Sequence, residues 1–401
     1  MILYEPSATA DYRDYGIMLP IEPDRGKHVL DFLKASDTRD DFPVFDFSGA
    51  IKYLMPESEL LSCKHANEDA SADKYLLNRD DLERVHSKDF ISSLYGGGIN
   101  GALLNTFELI DTQGRPNRYE PDRAVKPLSD LFRILLAQAG GTYLACLLAL
   151  RRGAPLTANG GALNRSGFCF YLGGGMHHAR YDAPSGFCLI NDIAAAALKI
   201  TAEKNLSLVW IIDMDAHKGD GTAELVQFAR NRGRLKNPCG KSSLKTEEGN
   251  HHAKSNSEKP CVLTLSIHMA KGWPLDAENL MSAAEGRAPL IPSDADIGIE
   301  AGGESCYTAR LADGIRRLEK LSGKKADFVI VVDGADPYEH DGLASSSLLR
   351  LTLEQCAERD LYVYRYLQER EIPSAWIQSG GYGGRAWEPA AYFLKSVIDN
   401  A

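Results

Sequence analysis

The chain contains 401 residues, of which 44% are hydrophobic and 25% are charged; this composition is typical of a folded globular protein and excludes a disordered or fibrous one. Its formal net charge of −10 disfavours nucleic acid as a partner, because phosphate groups repel an acidic surface. The eight cysteines form no CxxC pair, no apolar run reaches 18 residues, and no basic leader precedes an apolar segment, so we expect no disulfide scaffold, membrane span or secretory signal.

The first 130 residues have an irregular pattern. Residues 25–33 and 79–95 show the apolar spacing of helices, and the glycine-rich run after Tyr95 predicts a loop. No segment has the composition of a linker. We therefore predict a single domain over residues 1–401.

Beyond this region, predicted strands alternate with predicted helices. Apolar spacing indicates helices over residues 193–200, 305–321 and 353–367. The strands are nearly continuous apolar runs, as expected where both faces of a sheet are covered. They comprise residues 167–172, 208–212, 262–267, 328–332 and 375–378. The alternation predicts an α/β fold with a central, mostly parallel sheet flanked by helices on both faces, and an active site at the carboxyl ends of the strands.

Residues 230–260 differ from the rest of the chain in composition. They contain eight Lys or Arg, three Glu and almost no apolar side chains. We interpret them as a polar, basic surface insertion between a helix and a strand, with a partner-binding loop as the alternative. His251 and His252 within this segment are expected to be solvated rather than to bind metal.

The predicted strands end in segments that carry titratable side chains. Ligands of open α/β sheets bind beyond the carboxyl ends of the strands, so these side chains should meet in one pocket. Packing alone does not explain why four of the ten histidines fall there. The residues concerned are His177 and His178; Asp213, Asp215, His217 and Asp220; His268; Asp333 and Asp336; and Tyr382.

Three of these residues have the chemistry of a catalytic metal site. Asp215, His217 and Asp336 offer two carboxylates and one imidazole, which leaves coordination positions open for water and substrate. In a D-x-H segment that continues a strand, both side chains point to the same side. Zinc is the default metal for this mixed set, and Fe(II) or Co(II) also fits. A bound metal lowers the pKa of its water and so generates a nucleophile for a carbonyl carbon.

The other residues supply acid–base chemistry. The adjacent His177 and His178 can act as general base and general acid, with Asp213 and Asp220 available to fix their tautomers. Tyr382 lies between glycines and can present its hydroxyl to a developing oxyanion. Together these residues predict metal-assisted hydrolysis of a carbonyl compound.

At these residues the sequence resembles the histone deacetylase family, the zinc-dependent amidohydrolases of the arginase–deacetylase fold. The matching blocks occur in the family order and span over half of the chain. They are GGGMHHARYDAPSGFCLIND, IIDMDAHKGDGT, LSIHM, GADPYEHDGLA and SGGYG.

The resemblance implies two bound metal ions. One zinc per chain would be held by Asp215, His217 and Asp336. Family members also bind a monovalent cation, usually potassium, beside that site. Its shell corresponds here to Asp213, Asp215, His217, Ser266 and Ile267.

The resemblance also implies the catalytic roles. His177, paired with Asp213, corresponds to the first histidine of the tandem. His178, paired with Asp220, corresponds to the principal general acid and base. Tyr382 corresponds to the tyrosine that polarises the acetyl carbonyl.

The substrate implied by the resemblance is N-ε-acetyl-lysine in a protein or peptide, with histone tails and chromatin regulation as the expected setting. Gly186 and Phe187 correspond to one wall of a narrow acyl-lysine tunnel, and Trp273 or Pro274 should approach the opposite wall. Such walls bury the apolar lysine stem and deliver the amide to the metal. The resemblance does not identify partner proteins. The default location is the cytoplasm, with the nucleus left open.

The chain departs from the family pattern in the basic insertion at 230–260, in the irregular first 130 residues, and at three individual positions. Lys218 stands where many members have a second histidine after the metal-ligand histidine. Ser379 replaces the first of the glycines that precede the tyrosine. The rim acid that grips the substrate backbone in many members has no clear counterpart, and Glu120 and Asp122 are the nearest candidates.

Three rival functions differ in the chemistry that they require. The main alternative is an amidohydrolase of acylpolyamines or other small molecules on the same fold, and deacylation of longer acyl-lysines is a variant. Arginase-type chemistry is disfavoured because a second metal needs a D-x-D pair, whereas Asp333 and Asp336 are three positions apart. A catalytically silent binding scaffold is disfavoured because every chemical group of the site is present.

Overall fold

The computed structural model describes residues 1–36, 42–56, 73–151, 167–238, 259–276 and 290–400. The strands of these residues are β1 (Ile2–Leu3), β2 (Val44–Phe45), β3 (Phe168–Tyr171), β4 (Leu208–Asp213), β5 (Cys261–Met269), β6 (Ala295–Ile299), β7 (Phe328–Asp333) and β8 (Ser374–Gln378). They form one sheet in the order β2-β1-β3-β8-β7-β4-β5-β6. Every neighbouring pair is parallel.

Helices cover both faces of this sheet. Those of the described residues are α1 (Arg25–Ala35), α2 (Phe47–Leu54), α3 (Arg79–Leu82), α4 (Lys88–Leu94), α5 (Ile99–Thr106), α6 (Leu131–Leu150), α7 (Asp192–Glu203), α8 (Asp220–Asn231), α9 (Tyr307–Ser322), α10 (Leu353–Glu369) and α11 (Glu388–Asp399). Helices α6, α7 and α8 pack on one face, and α1, α9, α10 and α11 pack on the other. The predicted α/β fold is therefore confirmed.

The central strands show why the sequence predicted them well. In β4, Val209 and Ile211 point into one hydrophobic core, while Trp210 and Ile212 point into the other. Because both faces are covered, consecutive residues are all apolar and no alternation with polar residues appears. The five predicted strands correspond to β3, β4, β5, β7 and β8.

Helix α6 is apolar over most of its surface. By length and composition alone, Leu128–Leu150 is the one stretch of the described residues that is long and apolar enough to cross a membrane, but 67% of that window is buried inside the fold. The helix packs against α7, β3 and β8. A helix that is surrounded by protein has the same all-round apolar pattern as a membrane span, and α6 is a core helix of this fold.

Two expectations for the first 130 residues were wrong. Residues 79–95 form two helices rather than one, because the Ser87 hydroxyl accepts a 3.1 Å hydrogen bond from the Phe90 N–H and so caps a new helix. The glycine-rich run does not stay a loop, since helix α5 begins at Ile99, directly after the glycines.

The first residue of the predicted insertion belongs to a helix. Arg230 lies inside α8, where its guanidinium pairs with Asp294 at 2.5 Å and donates to the Val262 carbonyl at 2.6 Å. Residues 239–258, with His251 and His252, lie outside the described residues. On either side of them, the Lys236 N–H donates to the Pro260 carbonyl at 2.9 Å, which brings the two flanks together.

Candidate active site

The carboxyl ends of β3, β4, β7 and β8 converge on one pocket. The strands are neighbours in the sheet and parallel, so the segments that leave them emerge at the same edge. The pocket lining includes His177, His178, Asp215, His217, Asp336 and Tyr382. The structure thus brings together residues that are as far as 205 positions apart in the sequence, and that the sequence analysis selected for chemistry.

The tandem histidines follow a tight turn after β3. Gly175 has φ 86°, and a Cβ at this position would lie 2.6 Å from the Cα of Ser379, so glycine is required there. His177 Nδ1 lies 2.8 Å from Asp213 Oδ2, and the two imidazole ring centroids of the tandem are 3.8 Å apart. His178 is held in the same way by Asp220, whose Oδ1 lies 2.8 Å from His178 Nδ1.

The two imidazoles have opposite electrostatic environments. Burial disfavours a charge on His177, but the Asp213 and Asp215 carboxylates outweigh it and raise the pKa of His177 to about 9. Burial and the charge on His177 lower the pKa of His178 to about 4. Their surroundings therefore favour a charged His177 beside a neutral His178.

Asp215, His217 and Asp336 form a buried cluster. His217 Nδ1 lies 2.8 Å from Asp336 Oδ2 and 3.4 Å from Asp215 Oδ1, and one donor atom from each of the three residues lies within 4.8 Å of the others. The Ala216 N–H donates to Asp336 Oδ1 at 2.8 Å, and the Gly380 N–H donates to Asp215 Oδ2 at 3.0 Å. These bonds fix both carboxylates with oxygens aimed at the imidazole.

The protonation of this cluster fits a divalent cation. Burial and the charge on Asp215 raise the pKa of Asp336 to about 7. Burial opposes a charge on His217, but its bonds to Asp215 and Asp336 raise the pKa of His217 to about 10. Metal ligands bind in their deprotonated form, so binding of a cation here would release protons from these groups. Two carboxylates and one imidazole suit zinc or iron(II).

A loop after β8 carries Tyr382 to the pocket. The Arg25 guanidinium donates to the carbonyls of Gln378, Ser379, Gly380 and Gly381 at 2.8 to 3.3 Å. Burial and the charges on Asp336 and Asp215 raise the pKa of Tyr382 well above its ordinary value, so the phenol keeps its proton for donation. Arg25 could not be predicted from the sequence, because a side chain that binds backbone carbonyls leaves no motif.

Aromatic rings border the same residues. The Phe187 and Tyr382 rings meet edge to face with centroids 6.0 Å apart, and the Trp273 ring lies 4.5 Å from that of His178. A Cβ on Gly186 would lie 2.3 Å from Trp273 Cη2, so this approach depends on glycine. Gly186 and Phe187 line the pocket, whereas Trp273 and Pro274 are not among the described lining residues. Their assignment to a tunnel wall stays a prediction.

The residues predicted to hold a monovalent cation lie on neighbouring strands. Asp213 of β4 is paired in register with Ser266 of β5, and Ile267 follows Ser266. The Gly219 N–H donates to the Ser266 hydroxyl at 3.2 Å, and the Asp215 N–H donates to Asp213 Oδ1 at 3.2 Å. Occupation of this shell by potassium stays a prediction.

Lys218, which follows His217 in the sequence, is accommodated by an ion pair. Its side chain is buried, and its ammonium pairs with Asp296. Asp296 Oδ1 lies 2.7 Å from His268 Nε2, which places this strand-end histidine outside the tandem and metal clusters. Lys218 thus joins a separate charge-balanced group.

The two acids nearest to the rim position do not reach the pocket. Glu120 and Asp122 are exposed and are not among the described residues that line the pocket. Glu120 pairs instead with Arg123 at 2.8 Å. The Arg118 guanidinium lies 5.9 Å from the centroid of the Phe187 ring. Neither acid is therefore supported as the residue that grips the substrate backbone.

Comparison with known proteins gives a consistent family assignment. The model of the histone deacetylase domain matches residues 23–394. Histone deacetylase 2 of Arabidopsis thaliana is 25% identical over 342 residues, which are 85% of this chain and 70% of that protein. An uncharacterized protein of Picosynechococcus sp. is 27% identical over 302 residues, which are 75% of each chain.

A solved structure shares the fold over the whole chain. The crystal structure of an acetylpolyamine aminohydrolase from Burkholderia pseudomallei superposes with a TM-score of 0.57 and covers 99% of this chain and 98% of that one. The sequence identity is 16%, so this likeness concerns the fold alone.

Proposed function

This chain belongs to the histone deacetylase family, and we propose that it is a zinc-dependent hydrolase that removes the acetyl group from N-ε-acetyl-lysine in proteins or peptides, including histone-like tails. The observation that carries the proposal is the meeting of two His–Asp pairs with the Asp215, His217 and Asp336 cluster in one pocket. We propose one zinc per chain and one potassium ion, and the cytoplasm as the default location.

The metal ligands in this proposal are Asp215, His217 and Asp336. When bound there, zinc would polarise the acetyl carbonyl and lower the pKa of a water molecule. The protein's own part is to keep the three donors together and fixed. The backbone N–H groups of Ala216 and Gly380 do this for the two carboxylates.

Proton transfer is assigned to His178. Because Asp220 holds its Nδ1, its Nε2 is left to accept the proton of the attacking water and then to return it to the leaving amine. His177, paired with Asp213, keeps a positive charge beside it. Tyr382 donates its phenolic proton in a hydrogen bond to the oxygen that becomes negative as the carbonyl is attacked.

The second candidate is hydrolysis of acetylpolyamines or other small acylated amines. The observation that favours it is that neither rim-acid candidate, Glu120 or Asp122, lines the pocket. The same catalytic groups serve both substrates, so the two candidates differ in recognition and not in chemistry.

The test is hydrolysis of a substrate panel by the full chain, with metal content measured on the same preparation. The panel contains an acetyl-lysine histone-tail peptide, a longer-acyl lysine peptide, acetylputrescine and arginine. We expect turnover of the acetyl-lysine peptide with about one zinc per chain. Turnover of acetylputrescine alone would replace the first candidate by the second, and no turnover of any acyl-amide by zinc-loaded protein would overturn both.

A variant tests the assigned proton transfer. His178→Ala should lower turnover by about 100-fold or more while the zinc content stays unchanged, because general acid–base catalysis contributes about 10²–10⁴-fold. His268→Ala is the control, since His268 is a strand-end histidine bound to Asp296 and not to the tandem or metal clusters. Equal activity of both variants would contradict the role of His178.

A further inference from the structure

Arg359 of α10 is a fully buried arginine beneath the candidate metal site. None of its surface is exposed. Its Nε donates to Asp360 Oδ1 at 2.6 Å, and its Nη2 donates to Asp333 Oδ1 at 2.7 Å. Its Nη1 donates to two backbone carbonyls, those of Met214 and Gly334, at 3.1 Å each. The guanidinium therefore binds two carboxylates and two separate backbone segments.

The two carbonyls belong to the segments that carry the candidate metal ligands. Met214 directly precedes Asp215, and Gly334 lies two positions before Asp336. These segments leave β4 and β7, which are adjacent in the sheet. They pass very close to each other, since a Cβ on Gly334 would lie 2.6 Å from the Cα of Asp215. Arg359 bridges them at this crossing with a single nitrogen.

We infer that Arg359 is a positioning residue that fixes the separation of the Asp215 and Asp336 carboxylates and so sets the affinity of the site for its divalent metal. The inference rests on the proposed function in one respect, because it takes these two carboxylates as metal ligands. It does not depend on which acylated substrate is hydrolysed. A site whose donors are held apart at the right distance before the metal arrives loses less free energy to ordering when the metal binds.

The chemistry of the side chain explains why arginine occupies this position. A guanidinium is planar, and its fork of N–H donors can reach several acceptors at once, whereas a lysine ammonium is a compact point charge. Burial of a charge is costly unless it is paired, and Asp333 and Asp360 supply the pairing. A buried ion pair adds little stability compared with a hydrophobic replacement. Positioning of the two segments gives the buried Arg359 a role beyond stability.

Arg230 offers a matched control. It is also a buried arginine, pairs with the Asp294 carboxylate, and donates to a backbone carbonyl, that of Val262. Neither acceptor belongs to the segments that carry Asp215 or Asp336. Arg230→Met and Arg359→Met therefore remove the same kind of side chain from the same kind of environment, and differ in whether the metal-ligand segments are released.

The experiment measures the affinity of the metal-free full chain for Zn²⁺ by competition with a chromophoric chelator, together with the denaturant midpoint of each variant. We expect Arg359→Met to weaken Zn²⁺ binding by about 10- to 100-fold, the range found when residues behind metal ligands are removed. Arg359→Lys should weaken it as well, because an ammonium cannot hold both carbonyls and both carboxylates. Arg230→Met should leave the Zn²⁺ affinity unchanged although it lowers the midpoint.

Zn²⁺ affinities of both Arg359 variants within twofold of the unaltered chain would overturn the inference, and Arg359 would then be a purely structural residue. If Arg359→Met does not fold, Arg359→Lys decides by the same criterion. Failure of the proposed function looks different. In that case the unaltered chain binds Zn²⁺ and the Arg359 variants bind it more weakly, but the unaltered chain hydrolyses no acyl-amide.

Discussion

The backbone N–H of Tyr382 donates a 2.7 Å hydrogen bond to Oδ2 of Asp341. The other oxygen of this carboxylate accepts from the Leu343 N–H at 2.9 Å and from the Ser346 hydroxyl at 2.7 Å. In return, the Gly342 N–H donates to the Tyr382 carbonyl at 2.9 Å. Asp341 therefore joins the loop after β7 to the loop after β8, and it acts on the tyrosine through the backbone.

From this contact we predict that Asp341→Asn lowers kcat by about tenfold with little change in KM. One amide nitrogen would face backbone donors, and the loss of about 1.4 kcal/mol of positioning hydrogen bond corresponds to that factor in rate. Asp327→Asn is the control, because Asp327 also accepts from backbone N–H groups, those of Ser207 and Leu208, away from the pocket. A kcat that falls equally in both variants would indicate general destabilisation.

Removal of the Tyr382 hydroxyl should affect turnover and leave the metal in place. We predict that Tyr382→Phe lowers kcat by about 100- to 1000-fold, since loss of one oxyanion donor has an effect of that size. Zinc content should not change, because the phenol is not one of the candidate ligands. Tyr338→Phe serves as the control: its hydroxyl donates to Glu388 at 2.6 Å outside the pocket. Near-normal kcat in Tyr382→Phe would contradict the proposed role of the phenol.

Residues 239–258 should be dispensable for turnover of a short substrate. They contain three Lys and three Glu, so the excess positive charge of residues 230–260 lies in the flanking positions. Among these are Arg230, which is buried, and Arg232, whose guanidinium lies over the Tyr181 ring. The Lys236–Pro260 backbone bond shows that a short linker can join the flanks. We predict that a replacement of about five glycine and serine residues leaves kcat and KM for a short acyl-lysine substrate within twofold.

The control for that replacement is the same linker inserted after Pro260 without a deletion. A fall in kcat seen with the deletion and not with the insertion would show that residues 239–258 shape the site. Changes in the binding of a large acetylated protein, with short-substrate kinetics intact, would instead support the partner-binding interpretation of this segment.

The elements that sequence predicted best are those whose environment is uniform. Strand β7 is buried on both faces and its sequence FVIVVD is apolar until the site begins, so pattern and structure agree. Strand β6, at the edge of the sheet, was missed because Asp296 and Gly298 interrupt its apolar residues, so it is not a continuous apolar run like the central strands. Strands β1 and β2 contain two residues each, which is too short for any periodicity.

The residues of the candidate site also differ in how well the sequence predicts them. His178, Asp215 and Tyr382 were predictable because their side chains carry the chemistry and stand directly after predicted strands. Arg25 and Arg359 were not, because each acts on backbone atoms of distant segments. The Arg25 bond to the Gln378 carbonyl spans 353 positions, and nothing local in the sequence around Arg25 depends on it.

His86 supplies a pH-dependent contribution to stability. It is buried, its Nδ1 lies 2.7 Å from the Arg180 carbonyl oxygen, and the Asn191 N–H donates to its Nε2 at 2.9 Å. The ring therefore donates from Nδ1 and accepts at Nε2, so no site is left for a second proton. Burial lowers the pKa of His86 from 6.5 to about 4.

Because the pKa of His86 is lower in the folded chain than in the unfolded one, its contribution is complete above pH 6.5 and is lost as the pH falls toward 4. Between pH 7.5 and 5 the loss should be about 2 kcal/mol of the free energy of unfolding. His86→Gln keeps one donor and one acceptor but does not titrate. The difference between the two proteins therefore isolates the titration of His86 from that of every other group. Denaturant unfolding at both pH values should show the unaltered chain losing about 2 kcal/mol more than His86→Gln; equal losses would mean that His86 is protonated in the folded protein at pH 5.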